Sequence, residues 1–290
     1  MSRIAIDRTR GRSRHAHAGL LGALVLLAST VFVQSAAVAQ IANTKHNLGS
    51  TNNVSGSPNK FSGTTEICVF CHTPHGADTA AAVPLWNRTL ADPATYQTYD
   101  SLGTSTLDGK ILPVGSVSIA CLSCHDGVQA MNNVINAPGA GNAGDSTWIA
   151  GTWSGTAQTA GKINNTTVAL LGQDLRNDHP IGIQYCGGGY NVGSGAGPCA
   201  DTDFIVPSSA VIGPSKVFWV NTAGGTSGRE KSDMILYNRT GTFNNAGGTI
   251  TTAEPFVECA SCHDPHISTH PTFLRTANTG SAVCLACHVK

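Results

Sequence analysis

Hydrophobic positions in this chain fall into short, separated runs, and only one run is long. Leu20 to Val33 is an apolar stretch of fourteen residues. It falls short of the roughly 20 apolar residues a membrane-spanning helix needs. Arg3, Arg8, Arg10, Arg12 and Arg14 precede it, and the small residues Ala37-Val38-Ala39 follow. A basic start, an apolar middle and a small-residue end make a secretory signal, so residues 1–39 are read as a signal peptide and Gln40 as the mature start. No other segment is predicted to span a bilayer. Further on, Thr147 to Trp153, Thr167 to Leu171, Lys216 to Val220, Met234 to Tyr237 and Thr249 to Thr252 are rich in β-formers and bounded by Gly, Asn or Ser. They are candidate strands. No segment carries a long amphipathic helical period. The expectation is mostly irregular coil with short helices and a few short β-strands.

Composition sharpens this picture. Charged residues make up 12% and aromatics 6%, while Gly reaches 33, so an all-protein core would be thin. The formal charge of zero hides an acidic mature chain: the signal carries five Arg and one Asp, leaving 12 basic against 16 acidic residues. Nucleic-acid binding through a basic patch is therefore not expected.

Four copies of Cys-x-x-Cys-His stand in the chain, at Cys68-Val69-Phe70-Cys71-His72, Cys121-Leu122-Ser123-Cys124-His125, Cys259-Ala260-Ser261-Cys262-His263 and Cys284-Leu285-Ala286-Cys287-His288. Each has the form of a covalent c-type haem site. The two thiols add across the two vinyl groups of one porphyrin, and the adjoining imidazole becomes the proximal iron ligand. Zinc would use Cys-x-x-Cys units in a closed tetrahedral site and would not require His after every second Cys. A thioredoxin-like motif would occur once, beside a βαβ pattern that is absent. The reading is four c-type haems, with iron held proximally by His72, His125, His263 and His288. The fold class then becomes a multihaem cytochrome c, coil wrapped around a haem stack whose apolar faces replace the missing core. Each motif is expected on a short helical turn.

An internal repeat orders these motifs. Cys68 to His75 reads Cys-x-x-Cys-His-x-Pro-His, Cys259 to His266 repeats it, and each extended motif precedes a plain one. The chain divides into a first haem pair over 40–135, a haem-free Gly/Ser/Thr-rich segment over 136–255 opened by a flexible linker at 136–144, and a second haem pair over 256–290. The remaining cysteines, Cys186 and Cys199, bracket a glycine-rich loop, and Ala200 follows the second. A fifth haem is disfavoured, and a disulfide is expected in an oxidising compartment.

The sixth iron position separates an electron carrier from an enzyme. Of eleven His, two leave with the signal and four are proximal, so His46, His75, His179, His266 and His270 remain for four irons. Met is scarce, with Met131 and Met234 as its mature representatives. Bis-histidine ligation by His46, His75, His179 and His266 is the economical assignment, with His270 as a spare. His75 and His266 cannot complete their own haems, because three extended residues span only about 10 Å. Each must reach a different iron. No catalytic residues are expected.

These residues resemble the doubled Cys-x-x-Cys-His multihaem cytochromes, and most closely the OmcE-like extracellular tetrahaem cytochromes that polymerise into filaments. The resemblance is carried by His46-Asn47-Leu48, Cys68 to Gly76, Pro84-Leu85-Trp86-Asn87, Cys121 to Gly127, Asn177-Asp178-His179-Pro180, Cys259 to His266, and Phe273-Leu274-Arg275 through Cys284 to His288. Ile267 departs from the glycine such proteins carry after the second His-x-Pro-His, and His270 is an addition. The resemblance implies an extracellular filament, a head-to-tail homopolymer with one axial His crossing each junction. His46, on a polar arm upstream of all four motifs, is the expected crossing ligand, with His179 as the alternative. Upstream cytochrome donors and extracellular electron acceptors would be its partners. Two other readings compete: a soluble periplasmic tetrahaem shuttle with every axial ligand in cis, and a multihaem oxidoreductase, which needs a five-coordinate haem.

Overall fold

Two-residue turns and antiparallel pairing, more than helices, organise this chain. The computed structural model describes residues 40–139, 144–193, 197–222, 228–245 and 247–289. The expected signal peptide at 1–39, part of the linker at 140–143 and part of the glycine-rich loop at 194–196 lie outside the described residues. The chain from Gln40 onward groups into one unit.

Among the described residues four short α-helices occur in chain order: α1 (Ser116–His125), α2 (Ser146–Ile149), α3 (Cys259–Cys262) and α4 (Ala282–Leu285). The strands are β1 (Lys60–Phe61), β2 (Trp153–Ser154), β3 (Gln158–Thr159), β4 (Lys162–Ile163), β5 (Ile183–Gln184), β6 (Ser208–Ile212), β7 (Ser215–Val220), β8 (Met234–Thr242) and β9 (Thr249–Val257). Strands β1 and β2 pair with each other, as do β3 and β4, and the rest form one antiparallel sheet in the order β5-β9-β8-β7-β6. Few short helices and small sheets, joined by long coil, are consistent with the expected mostly irregular chain.

The sheet arises where alternation and turn chemistry coincide. Met234 and Leu236 on β8 point inward between less buried neighbours, the period of two that a half-buried strand requires. Ile212 pairs with Ser215 across Gly213-Pro214. Gly213 sits at φ +59°, the glycine-first conformation of a two-residue hairpin turn. Strands β8 and β9 run beyond the expected Met234–Tyr237 and Thr249–Thr252, to Thr242 and Val257.

Two expected strands are corrected. Thr147 to Trp153 begins as helix α2, because Asp145 caps it: the Asp145 carboxylate accepts from the Trp148 amide at 2.9 Å. That cap outweighs local β-propensity, and Trp148 then buries against Phe61 and Phe70, at ring distances of 4.9 and 5.7 Å. Thr167 to Leu171 forms turns, and its backbone is taken up by His125: the Leu171 amide donates to the His125 carbonyl at 2.8 Å. Strand β6 went unforeseen because much of it is exposed, Val211 73% and Ile212 55%.

The apolar interior is divided among small clusters. One gathers Tyr185, Phe218, Val220, Met234 and Val257 under the sheet. Another gathers Trp86, Tyr96, Ile119 and Leu122 around α1, and a third Phe61, Phe70, Met131 and Trp148. Cys186 and Cys199 form a disulfide with a Cα separation of 5.3 Å. Inside its loop Gly189 has φ +102°, and a Cβ there would lie 2.2 Å from the Pro198 carbonyl oxygen. Closing a loop of this size is worth about 3 kcal/mol. Replacing both cysteines by Ala should lower unfolding free energy by about that amount in denaturant titration. An unchanged midpoint would show that the loop is held by its other contacts.

The Cys-x-x-Cys-His motifs and their imidazoles

Each motif lies on a helical turn, as expected. Cys68–Phe70 is a 3-10 turn, Cys121 to His125 is the last part of α1, Cys259–Cys262 is α3, and Cys284 and Leu285 end α4. The His72, His263 and His288 amides donate to the carbonyls of Cys68, Cys259 and Cys284 at 2.8, 3.1 and 2.9 Å. This i to i−4 closure puts the thiols and the imidazole on one turn.

The rings are oriented by backbone carbonyls. His72 Nδ1 lies 2.7 Å from the Pro84 oxygen, His125 Nδ1 2.7 Å from that of Ala169, and His263 Nδ1 2.7 Å from that of Thr272. A carbonyl can only accept, so Nδ1 carries the proton in each case. Nε2 is then left with a free lone pair, the tautomer a metal-ligating His needs. His288 is placed differently, by a backbone bridge to Phe204 and a ring contact of 4.4 Å with it.

The sequence repeat extends further in the structure than in the motifs themselves. His72 bridges to Trp86 and His263 to Leu274, and in each case the carbonyl that holds the ring comes two residues before the bridge partner. The Asn87 amide donates to the Cys71 carbonyl at 2.9 Å, and the Arg275 amide to that of Cys262 at 2.8 Å. Leu85 and Phe273 occupy equivalent places, both at positive φ, +57° and +62°. Side chains without glycine's freedom adopt this region at a cost, so both braces trade local strain for a fixed imidazole. Residues 84–87 and 272–275 are thus matching braces, whose sequences share too little for the repeat to be visible by spacing.

The other histidines are placed unequally. The His46 ring lies 6.1 Å from that of His125 at an interplanar angle of 84°, and stacks on Phe273 at 4.3 Å. Its Nδ1 is 3.3 Å from the Pro265 oxygen. Burial, then the neighbouring His125, hold its pKa down to about 4. The expectation that His46 rides a free arm is therefore corrected: the arm folds onto its own chain. His266 lies 6.3 Å from His72, their planes 17° apart, with Nδ1 3.3 Å from Asp264 Oδ1. His179 Nδ1 is 3.0 Å from the Pro180 oxygen, and its pKa is lowered by desolvation and also by His288. His75 is exposed, and its carbonyl accepts from Thr73 Oγ1 and Asn136 Nδ2 at 3.0 and 2.8 Å. His270 leads into the turn Pro271–Phe273.

None of the eight motif cysteines is disulfide-bonded. Their thiols influence one another in chain order. Cys71 is pushed up to about 12 by burial and then by Cys124, and Cys121 is raised through a hydrogen bond with Cys259 and by burial. Cys262 is pushed up to about 11 by burial, with Cys259 and Cys284 adding to it, and Cys287 to about 12 by burial and Cys262. Neighbouring motifs therefore lie side by side. The buried Glu258 carboxylate joins the second to the third. It accepts from Arg239 at 2.9 Å and from the Ser118 hydroxyl on α1, and it caps α3 through Ser261.

The donor set fits c-type haem. Paired thiols stand beside oriented imidazoles, and Trp86 Nε1, next to His72, is a buried donor without a partner among the described residues. A buried polar group left so implies an absent acceptor. Zinc fits less well: among the described residues no three His, Cys, Asp or Glu are placed to hold a metal ion.

The family model for the doubled CXXCH motif matches residues 254–290. No curated protein matches the chain. The match supports a multihaem c-type cytochrome family, in which such motifs indicate covalently bound c-type haem and an electron-transfer role. Sequence reasoning missed Phe273 against His46, the carbonyl braces, and the buried Arg88 and Glu258. The last two stand directly beside quoted motifs, Arg88 after Asn87 and Glu258 before Cys259.

Proposed function

We propose that the protein is an OmcE-like extracellular tetrahaem cytochrome that polymerises head to tail and carries electrons through stacked bis-His haems. The observation that carries this reading is the spacing of two imidazole pairs. Two imidazoles on opposite sides of one iron, each with a metal–nitrogen distance of about 2 Å, put their ring centroids about 6 Å apart. His72 with His266, at 6.3 Å, and His125 with His46, at 6.1 Å, have that spacing. His288 takes as its partner His179, whose pKa it helps to lower. The iron over His263 is left for His75, which is exposed and has no imidazole beside it among the described residues. His75 then replaces His46 as the ligand that crosses to a neighbouring copy.

When bound, the haems supply one-electron chemistry. The chain supplies the thiols in a fixed order, imidazoles held by carbonyls on Nδ1, and the apolar clusters that exclude water from the first two motifs. No residue set for substrate chemistry is proposed. A heterologous contact whose rotation does not close gives an open filament instead of a ring. Secretion through the residue 1–39 signal places the product outside the cell. The second reading, a periplasmic shuttle, follows if His75 closes on His263 of its own chain, as strict repeat symmetry with His266 and His72 would have it.

Intact mass of secreted protein should exceed the processed polypeptide by four haems, and electron micrographs should show filaments. His75→Ala should retain four haems, abolish filaments and expose one high-spin haem. Filaments in His75→Ala would remove His75 from the junction. A monomer by light scattering in the unsubstituted protein would replace the filament by the shuttle.

A further inference from the structure

Arg88 is fully buried, with 0% of its surface exposed, yet among the described residues no carboxylate pairs with it. Its Nε donates to Ser123 Oγ at 3.1 Å, Nη1 to the Met131 oxygen at 2.8 Å, and Nη2 to the Ser123 and Ala130 oxygens at 2.9 and 3.1 Å. All of these acceptors are neutral. A buried cation usually requires an anion beside it. Its place is specific: Ser123 lies inside the second Cys-x-x-Cys-His, and the adjacent Asn87 donates from its amide to the Cys71 carbonyl of the first. The cations near the later motifs differ. Arg275 has Asp264 at 3.7 Å, and Arg239 has Glu258 at 2.9 Å.

We infer that Arg88 is a potential-setting residue, a buried uncompensated charge that raises the reduction potentials of the haems on the first two motifs above those on the last two. The reasoning is electrostatic. Reduction adds one electron to an iron, and a nearby fixed positive charge in a low-dielectric surround favours the state with the extra electron. Arg remains protonated at any working pH, so its effect is constant. Both affected motifs adjoin the charge, while the cations beside the third, Arg275 and Arg239, have carboxylate partners. The consequence is a step in driving force along the haem order, with electrons favoured on the first pair.

This inference rests on the haem reading above, and one experiment separates the two. Arg88→Gln is expected to keep four haems and its low-spin visible spectrum. In a potentiometric titration two of the four one-electron components should move downward by about tenfold in equilibrium constant, about 59 mV each, while the other two stay. Arg88→Lys, which retains the charge, should restore most of the shift. If Arg88→Gln fails to mature, Ser123→Asp reads the same effect, because it sets a carboxylate against the guanidinium; Ser123→Asn is its neutral control. The aspartate variant should lower the same two components relative to the asparagine variant. Coincident titrations for the charged and neutral members of whichever set matures would overturn the role of Arg88. Equal movement of all four components would overturn it too, as a general structural effect. A haem count below four would instead count against the tetrahaem reading.

Discussion

In His266→Ala the haem carried by Cys68 and Cys71 is expected to become five-coordinate, while the haem on the motif next to the substitution keeps its ligands. The effect is displaced because of reach. His266 stands three residues after His263, and three residues span about 10 Å at most, too little to pass from one porphyrin face around to the other. The structure points its ring elsewhere, 6.3 Å from that of His72 and nearly parallel to it. Loss of the imidazole should convert one haem in four from low to high spin, visible as a high-spin ferric signal in electron paramagnetic resonance. Added imidazole should reverse it. The identity of the affected haem is read by combining His266→Ala with Cys68→Ala and Cys71→Ala, which removes the haem of the first motif and should remove the high-spin signal with it. A high-spin signal that persists in that variant would show that His266 serves another iron, and the pairing with His72 would fall.

Haem attachment was legible because its chemistry is local. Two thiols and an imidazole must share one turn, and the spacing in Cys121 to His125 states that without reference to the rest of the chain. The disulfide between Cys186 and Cys199 was legible for the same reason, since a thirteen-residue separation and a glycine-rich loop leave few other partners. Distal ligands are a different matter. His46 meets His125 across 79 positions and His72 meets His266 across 194, and nothing local to either pair announces the contact. Counting imidazoles names candidates but cannot join them, and it placed His46 on a free arm that the structure instead packs under Phe273.

The strands show the same division. Met234 to Tyr237 was readable as a short run of β-formers, whereas Thr147 to Trp153 was misread because aromatic and β-branched residues favour both a strand and a buried helical turn. One capping carboxylate, Asp145, decided between them. Thr167 to Leu171 is instructive in another way. Its composition is that of a strand, but the Ala169 carbonyl and the Leu171 amide are engaged by His125, so a functional side chain has claimed a backbone that propensity assigned to a sheet.

Glu258→Ala should be the most destabilising single substitution outside the haem ligands, costing about 3–5 kcal/mol. The carboxylate is 1% exposed and holds three elements together. One oxygen accepts from Arg239 on β8 at 2.9 Å, the other from Ser118 on α1, and its own backbone amide donates to Ser261 Oγ at 2.9 Å in the cap of α3. Burial raises its pKa while Arg239 and Ser118 oppose the rise, the mark of a charge kept in place by its partners. Removing it strands the Arg239 guanidinium, whose side chain is only 13% exposed, and an unpaired buried cation is costlier than the pair was worth. Glu258→Gln keeps the shape and one acceptor, so its loss should be smaller. Denaturant titration of the haem-loaded protein would measure both. Because α1 carries Cys121 and α3 carries Cys259, the alanine variant should also loosen the second haem against the third, seen as weakened coupling between paramagnetic centres in the oxidised state. Equal stability of the alanine variant and the unsubstituted protein would show that the Cys121 and Cys259 motifs are held together by their haems alone, and that the Glu258 network is dispensable.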